Sequence, residues 1–242
     1  MKKEHHHKNP NYIHHNHSRF IPVIRELVFG MEDGMVSTVG AVTGIAAGTQ
    51  NHYIVVLSGL VIVAVESISM GVGSYLSTKS KREVDERKLA EEQEELEQFP
   101  SEEKKELEDM YVDGGWPDAL ARDMAEAASK NKTLFLNEMA YRELHVFPGA
   151  LEEPVKSGVV MGVAYVIGGS IPLVPYLFFP LSFAGLWSIF FTLGGLFLLG
   201  SLTTKFSKRA WWRAGFEMLL VGGIAIAVGY GVGRGANALL SR

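Results

Sequence analysis

The chain has no cysteine, which excludes a disulfide framework and any thiolate zinc or iron–sulfur site. Residues 158–200 contain no Asp, Glu, Lys, Arg or His. The first 20 residues are polar and lack the apolar core of a cleaved signal peptide, so membrane insertion is expected to start at the first spanning helix. Charge is concentrated instead in residues 79–156, which hold 21 of the 27 acidic and 12 of the 23 basic residues, a local net charge of −9. The mean hydropathy of +0.11 therefore averages two different materials, an apolar bundle and a charged insert.

Five stretches are long and apolar enough to cross ~30 Å of hydrocarbon: 27–48, 53–77, 158–178, 181–200 and 211–234. The first carries Glu32 and Asp33 but also the ladder Gly40, Gly44, Gly48, preceded by Gly30 and Gly34, a spacing that lets membrane helices approach closely. Lys2, Lys3, Lys8, Arg19 and Arg25 precede span one, and Lys205, Lys208, Arg209 and Arg213 lie between spans four and five. The linkers after spans one and three have neither Lys nor Arg. The positive-inside rule then puts the N-terminus and the insert in the cytoplasm and the C-terminus on the other side. The division is a tail and interfacial lead-in over 1–25, spans one and two over 26–78, a helical insert over 79–156 and spans three to five over 157–242. The expected fold class is an all-α membrane protein of five transmembrane helices with a cytoplasmic helical insert between spans two and three.

Span two runs on without Pro or Gly from Tyr75 to Phe99, so that Tyr53 to Phe99 makes one helix of about 70 Å at ~1.5 Å per residue. Pro100 then starts a helix, with Ser101 expected as its cap. Asp113-Gly114-Gly115 is a turn, Asp118 opens a helix to about Ser129, and a last helix covers roughly 133–145.

Within the apolar stretch that begins at Phe29, Asp33 is the residue that most demands explanation. A carboxylate in hydrocarbon costs several kcal/mol unless solvated, paired or metal-bound. Glu66 and Met70 lie four residues apart in span two and share a helix face. In the insert, Glu92 with Glu95 and Glu103 with Glu106 are i,i+3 pairs on either side of Pro100. A fold-back at Pro100 would let them face each other, with Met139 and Glu143 closing the cluster. Carboxylates suit hard or borderline divalent ions, and a thioether favours iron or other transition metals. Against this, the segment is so rich in Glu that such pairs arise by chance, and Met139 alone reads as core.

Three segments, MEDGMVSTVGAVTG (31–44), ESISMGVGSYLSTKS (66–80) and RAGFEMLLVGGIAIAVGYGVGR (213–234), resemble the vacuolar iron transporter family of Fe2+/Mn2+ carriers. The resemblance runs from about Glu26 to Arg234. It implies a homodimer of five-helix protomers, an ion path between the subunits lined by spans one and two, and a cytoplasmic metal-binding domain. It maps the family's intramembrane aspartate onto Asp33, its methionine onto Met70 and its mouth acid onto Glu26. The glutamates of the soluble domain fall on Glu92, Glu95, Glu103 and Glu106, and its last-helix pair on Met139 and Glu143. Two positions depart from the pattern: Ile62 stands where eukaryotic members often have an acid, with Glu66 as a candidate replacement, and a Met-Met pair is reduced to Met139-Ala140.

The expectation is a non-enzymatic carrier, without a resident cofactor, moving Fe2+ out of the cytoplasm, with Mn2+ and Zn2+ as further candidates and protons as counter-ions. Its partners are a second copy, the bilayer and the ion; no nucleic acid is expected. Short termini without a sorting segment suggest a prokaryotic cytoplasmic membrane; a vacuolar membrane is the eukaryotic counterpart. A membrane-anchored metal buffer or sensor is the rival reading. A ferritin-like oxidase would need Glu-x-x-His pairs, and the insert's only histidine is His145. His5, His6, His7, His14, His15 and His17 would form a tail able to concentrate metal. Arg213, one turn from Glu217, is the expected partner of that carboxylate.

Overall fold

A computed structural model describes residues 21–240; the His-rich tail and the lysines before Arg19 lie outside them. Eight α-helices follow in order: α1 (Ile21–Thr49), α2 (His52–Gln98), α3 (Pro100–Asp113), α4 (Asp118–Ser129), α5 (Lys132–Arg142), α6 (Pro154–Phe178), α7 (Leu181–Ser207) and α8 (Trp211–Leu240). A short 3-10 turn, Pro148–Ala150, lies between α5 and α6, and no strand occurs among the described residues.

By length and composition, α2, α6, α7 and α8 can cross a membrane. Helix α1 has 29 residues, but Glu32, Asp33 and its many Gly, Ser and Thr residues keep its hydropathy low. It nonetheless packs along α6 and α8. A Cβ on Gly34 would lie 2.5 Å from the Tyr165 carbonyl oxygen, and one on Gly44 would lie 2.6 Å from that of Gly229. Gly40 likewise meets Ala225, and Gly48 meets Gly233. The contacts advance together along both chains, so α1 runs parallel to α6 and α8. Opposite α6, the order reverses: Gly71 meets Gly158, Ser67 meets Gly162 and Val63 meets Gly169. Helix α2 is therefore antiparallel to α6, as an up-and-down bundle requires. Ser188 of α7 donates to the Pro172 carbonyl of α6 at 2.7 Å, satisfying a polar group in the apolar interior.

The second half of α2 leaves this bundle and packs against α3 and α5. Leu107 and Tyr111 of α3, Ala121, Ala125 and Ala128 of α4, and Phe135 and Met139 of α5 form a separate core, with Leu96 of α2 packed against it. The expected break falls at Phe99, which serves as both C-cap of α2 and N-cap of α3. Ser101 does not cap α3: Pro100 takes the first turn, where its missing N–H costs nothing, and Ser101 falls inside the helix. Helix α5 ends at Arg142, earlier than expected, leaving Glu143 as its C-cap.

Candidate metal centres

Glu92 of α2, Glu103 of α3 and Glu143 at the end of α5 each bring a carboxylate oxygen within 4.8 Å of the others. Three helices thus converge through the fold-back at Phe99. Glu92 and Glu103 are only 2 % and 8 % exposed. Glu92 Oε1 and Glu103 Oε2 are buried without a hydrogen-bond partner. Burying a carboxylate unpaired is costly, so Glu92 and Glu103, with exposed Glu143 beside them, form a candidate cation site.

Electrostatics follow from the same geometry. Burial, then the charges of Glu143 and Glu103, push the Glu92 carboxyl up to about 8. Glu103 is pushed up to about 7 by burial and by Glu106, Glu95 and Glu143. Burial, with Glu106 next, raises Glu143 as well. Without a cation, Glu92 and Glu103 hold protons near neutrality. Glu95 and Glu106 are exposed but near enough to act on Glu103 and Glu143, forming an outer acidic ring. Met139 is fully buried in the insert's core, one turn before Glu143.

The second group lies between α1 and α2. Asp33 is half-buried and faces a cavity of about 870 Å³ between α1 and α8, otherwise lined mostly by small and apolar residues. Asp33 and Glu66 are close enough to repel electrostatically. Two turns earlier on α1, Glu26 accepts a hydrogen bond from Ser74 at 2.9 Å. Glu66, Met70 and Ser74 recur every four residues on one face of α2. The Asp33–Glu66 proximity and the Glu26–Ser74 bond therefore bracket half-buried Met70. Ser37 links this group to α6: its Oγ donates to the Asp33 carbonyl at 2.6 Å and lies 2.6 Å from the hydroxyl of buried Tyr165. Ser74 and Tyr165 were not singled out in the sequence. Ser74 was within reach, one turn beyond Met70; Tyr165, on another helix, carried no local signal.

Glu26 has both oxygens engaged and is 4 % exposed. Arg25 approaches Oε1 at 2.7 Å, opposite Ser74 on Oε2. Arg25 also reaches Glu152 at 3.4 Å, and Lys81 holds Glu152 at 2.6 Å. The Lys81 hydrogen bond, with help from Arg25, keeps the Glu152 carboxyl below its ordinary value. Glu217 pairs with Arg209 at 2.7 Å rather than with Arg213. Lys208, at φ 53°, turns the chain after α7 and brings Arg209 back towards α8.

Residues 24–234 match the family model described as VIT family. "Vacuolar iron transporter 1" of Arabidopsis thaliana is 30% identical over 220 residues, covering 90% of this chain and 88% of that protein. "Vacuolar iron transporter 2" of Oryza sativa is 27% identical over 218 residues, with 90% and 89% covered. "Vacuolar iron transporter" of Toxoplasma gondii is 30% identical over 220 residues, with 87% and 73% covered. With four helices of spanning length and composition, the chain is an integral, multi-pass membrane protein, and it belongs to the VIT family.

Proposed function

We propose that this protein moves a divalent transition metal, Fe2+ with Mn2+ as the alternative, out of the cytoplasm. The observation that carries the reading is Asp33, a carboxylate within the helical bundle, facing a cavity and close to Glu66. Such a group in an apolar setting costs too much to be retained as packing. In this reading α1 is a fifth span, supported by its parallel packing against α6 and α8. The α3–α5 unit lies on the cytoplasmic side and collects the ion through Glu92, Glu103 and Glu143, with Glu95 and Glu106 around them. The ion passes to Glu26 and then to Asp33, Met70 and Glu66, in a path completed by a second copy of the chain.

Carboxylates must lose protons to bind the ion, so cation and proton compete for the same oxygens. Proton antiport is the drive consistent with that competition. The names of the relatives support iron as cargo; a thioether beside carboxylates suits a borderline transition ion better than magnesium or calcium.

The test is metal uptake into proteoliposomes under an imposed pH gradient, with Fe2+, Mn2+, Zn2+ and Co2+ in competition. Asp33→Ala is expected to abolish uptake while leaving ion binding by the insert in place. Wild-type uptake by that variant would remove the central claim. A buffer or sensor would bind ions with no flux in either protein.

A further inference from the structure

The Arg25–Glu26 pair points beyond a static ion pair. Glu26 is buried, whereas the Arg25 side chain is 60% exposed and is shared between two carboxylates. Its Nε and one terminal nitrogen both address Glu26 Oε1, at 3.2 and 2.7 Å. The same terminal nitrogen is already 3.4 Å from Glu152 Oε2. Glu152 belongs to the segment joining α5 to α6, nine residues after Glu143. We propose that the Arg25 guanidinium is a tethered counter-ion that the incoming divalent cation displaces from Glu26, with Glu152 as the carboxylate that receives it. This rests on the reading of Glu26 as a ligand at the mouth of the path.

The chemistry favours exchange over simple repulsion. A buried carboxylate without a cation is costly, so Glu26 needs a positive partner whenever no metal is present. Arginine cannot lose its proton to vacate the site; it has to move, and Glu152 offers a destination within one side-chain rotation. Ser74 remains on Oε2 in either state, keeping the carboxylate oriented. Lys81, bonded to Glu152 at 2.6 Å, competes for the receiving carboxylate and so limits how readily Arg25 leaves. Glu26 keeps a cationic partner in both states and Arg25 stays beside an anion, while the local charge rises by the two units that the divalent ion brings.

The experiment measures the KM for Fe2+ uptake by the full chain in proteoliposomes, with monodisperse elution as the check on folding. Arg25→Gln is expected to lower KM about two- to fivefold, the scale of one partly exposed ion pair, with little change in maximal rate. Glu152→Gln is expected to raise it, since Arg25 then has nowhere else to go. The double-mutant comparison separates displacement from a general field at the mouth. In a Glu26→Gln background, Arg25→Gln should change nothing; an effect of equal size there overturns the proposal. An unchanged KM in either Arg25→Gln or Glu152→Gln overturns it too. In that case uptake that still depends on Asp33 leaves the transport reading intact, whereas absence of flux in the unmutated protein sinks both.

Discussion

Glu92 differs from the acidic residues around it only in its surroundings. It is one of 21 acids between residues 79 and 156, yet it is almost fully buried and carries an unpartnered oxygen. Its carboxyl is raised to about 8 and that of Glu103 to about 7, so a metal arriving near neutrality must displace protons. Ion binding by the purified protein is expected to weaken as pH falls through this range, with proton release on binding. Calorimetry in buffers of different ionisation enthalpy checks both; pH-independent affinity between 6 and 8 would contradict it. The same shifts act on stability. The folded state retains protons that the unfolded chain loses near its ordinary carboxylate value, so in metal-free protein stability declines as pH rises towards 8. Glu92→Gln should therefore raise the melting temperature of the metal-free protein at pH 8 while weakening ion binding by about tenfold or more, the loss of one charge-assisted ligand. A melting temperature lowered by this substitution would show that the carboxylate stabilises the fold instead.

Among the elements, α1 depends most on small residues. Its glycines press backbone against backbone on two sides, Gly34 on α6 and Gly44 on α8. Adding a methyl at Gly34 meets a carbonyl oxygen and an amide nitrogen, neither of which can rotate away. Gly34→Ala is expected to destabilise the bundle by about 1–3 kcal/mol, the usual range for overpacking. Thermal unfolding in detergent measures it, with Gly73→Ala as the control, since a Cβ there meets nothing within 4 Å. Equal effects at the two positions would show that helix propensity, not close approach, is being read. The ladder was legible from spacing alone, but its division between two neighbours was not. Helix ends show a similar limit. Pro100 marked the break, while the positive φ of Lys208 that places Arg209 on Glu217 left no trace in a sequence where Arg213 stands at the more obvious spacing.

Among the described residues, the insert has a core of its own, joined to the packed bundle by one 47-residue helix. The cavity beside Asp33 opens on the outside of a single protomer, and in the proposed path a second copy covers it. Light scattering on the detergent-solubilised protein is expected to give the mass of two chains; a monomer active in transport would remove the two-subunit path. The absence of cysteine makes sidedness simple to measure. A single cysteine at exposed Ala127 should resist a membrane-impermeant thiol reagent in intact cells and react after permeabilisation. Labelling in intact cells would invert the proposed orientation.

Local order was fixed by sequence. The uninterrupted α2, the break before Pro100, the turn after Asp113 and the apolar α6–α8 follow from helix propensity, proline stereochemistry and runs of uncharged residues, all of which act over a few positions. Acids and methionine on shared helix faces follow from the same 3.6-residue period. Which acids are buried together was decided only in three dimensions. Glu92 and Glu103 are buried where exposed Glu143 also converges on them, whereas Glu95 and Glu106, at equivalent spacings, stay outside. Arg25, unremarkable in the chain, comes to bridge carboxylates 126 positions apart. Periodicity sets the direction a side chain takes from its own helix; only packing between helices sets what it meets and how much water remains.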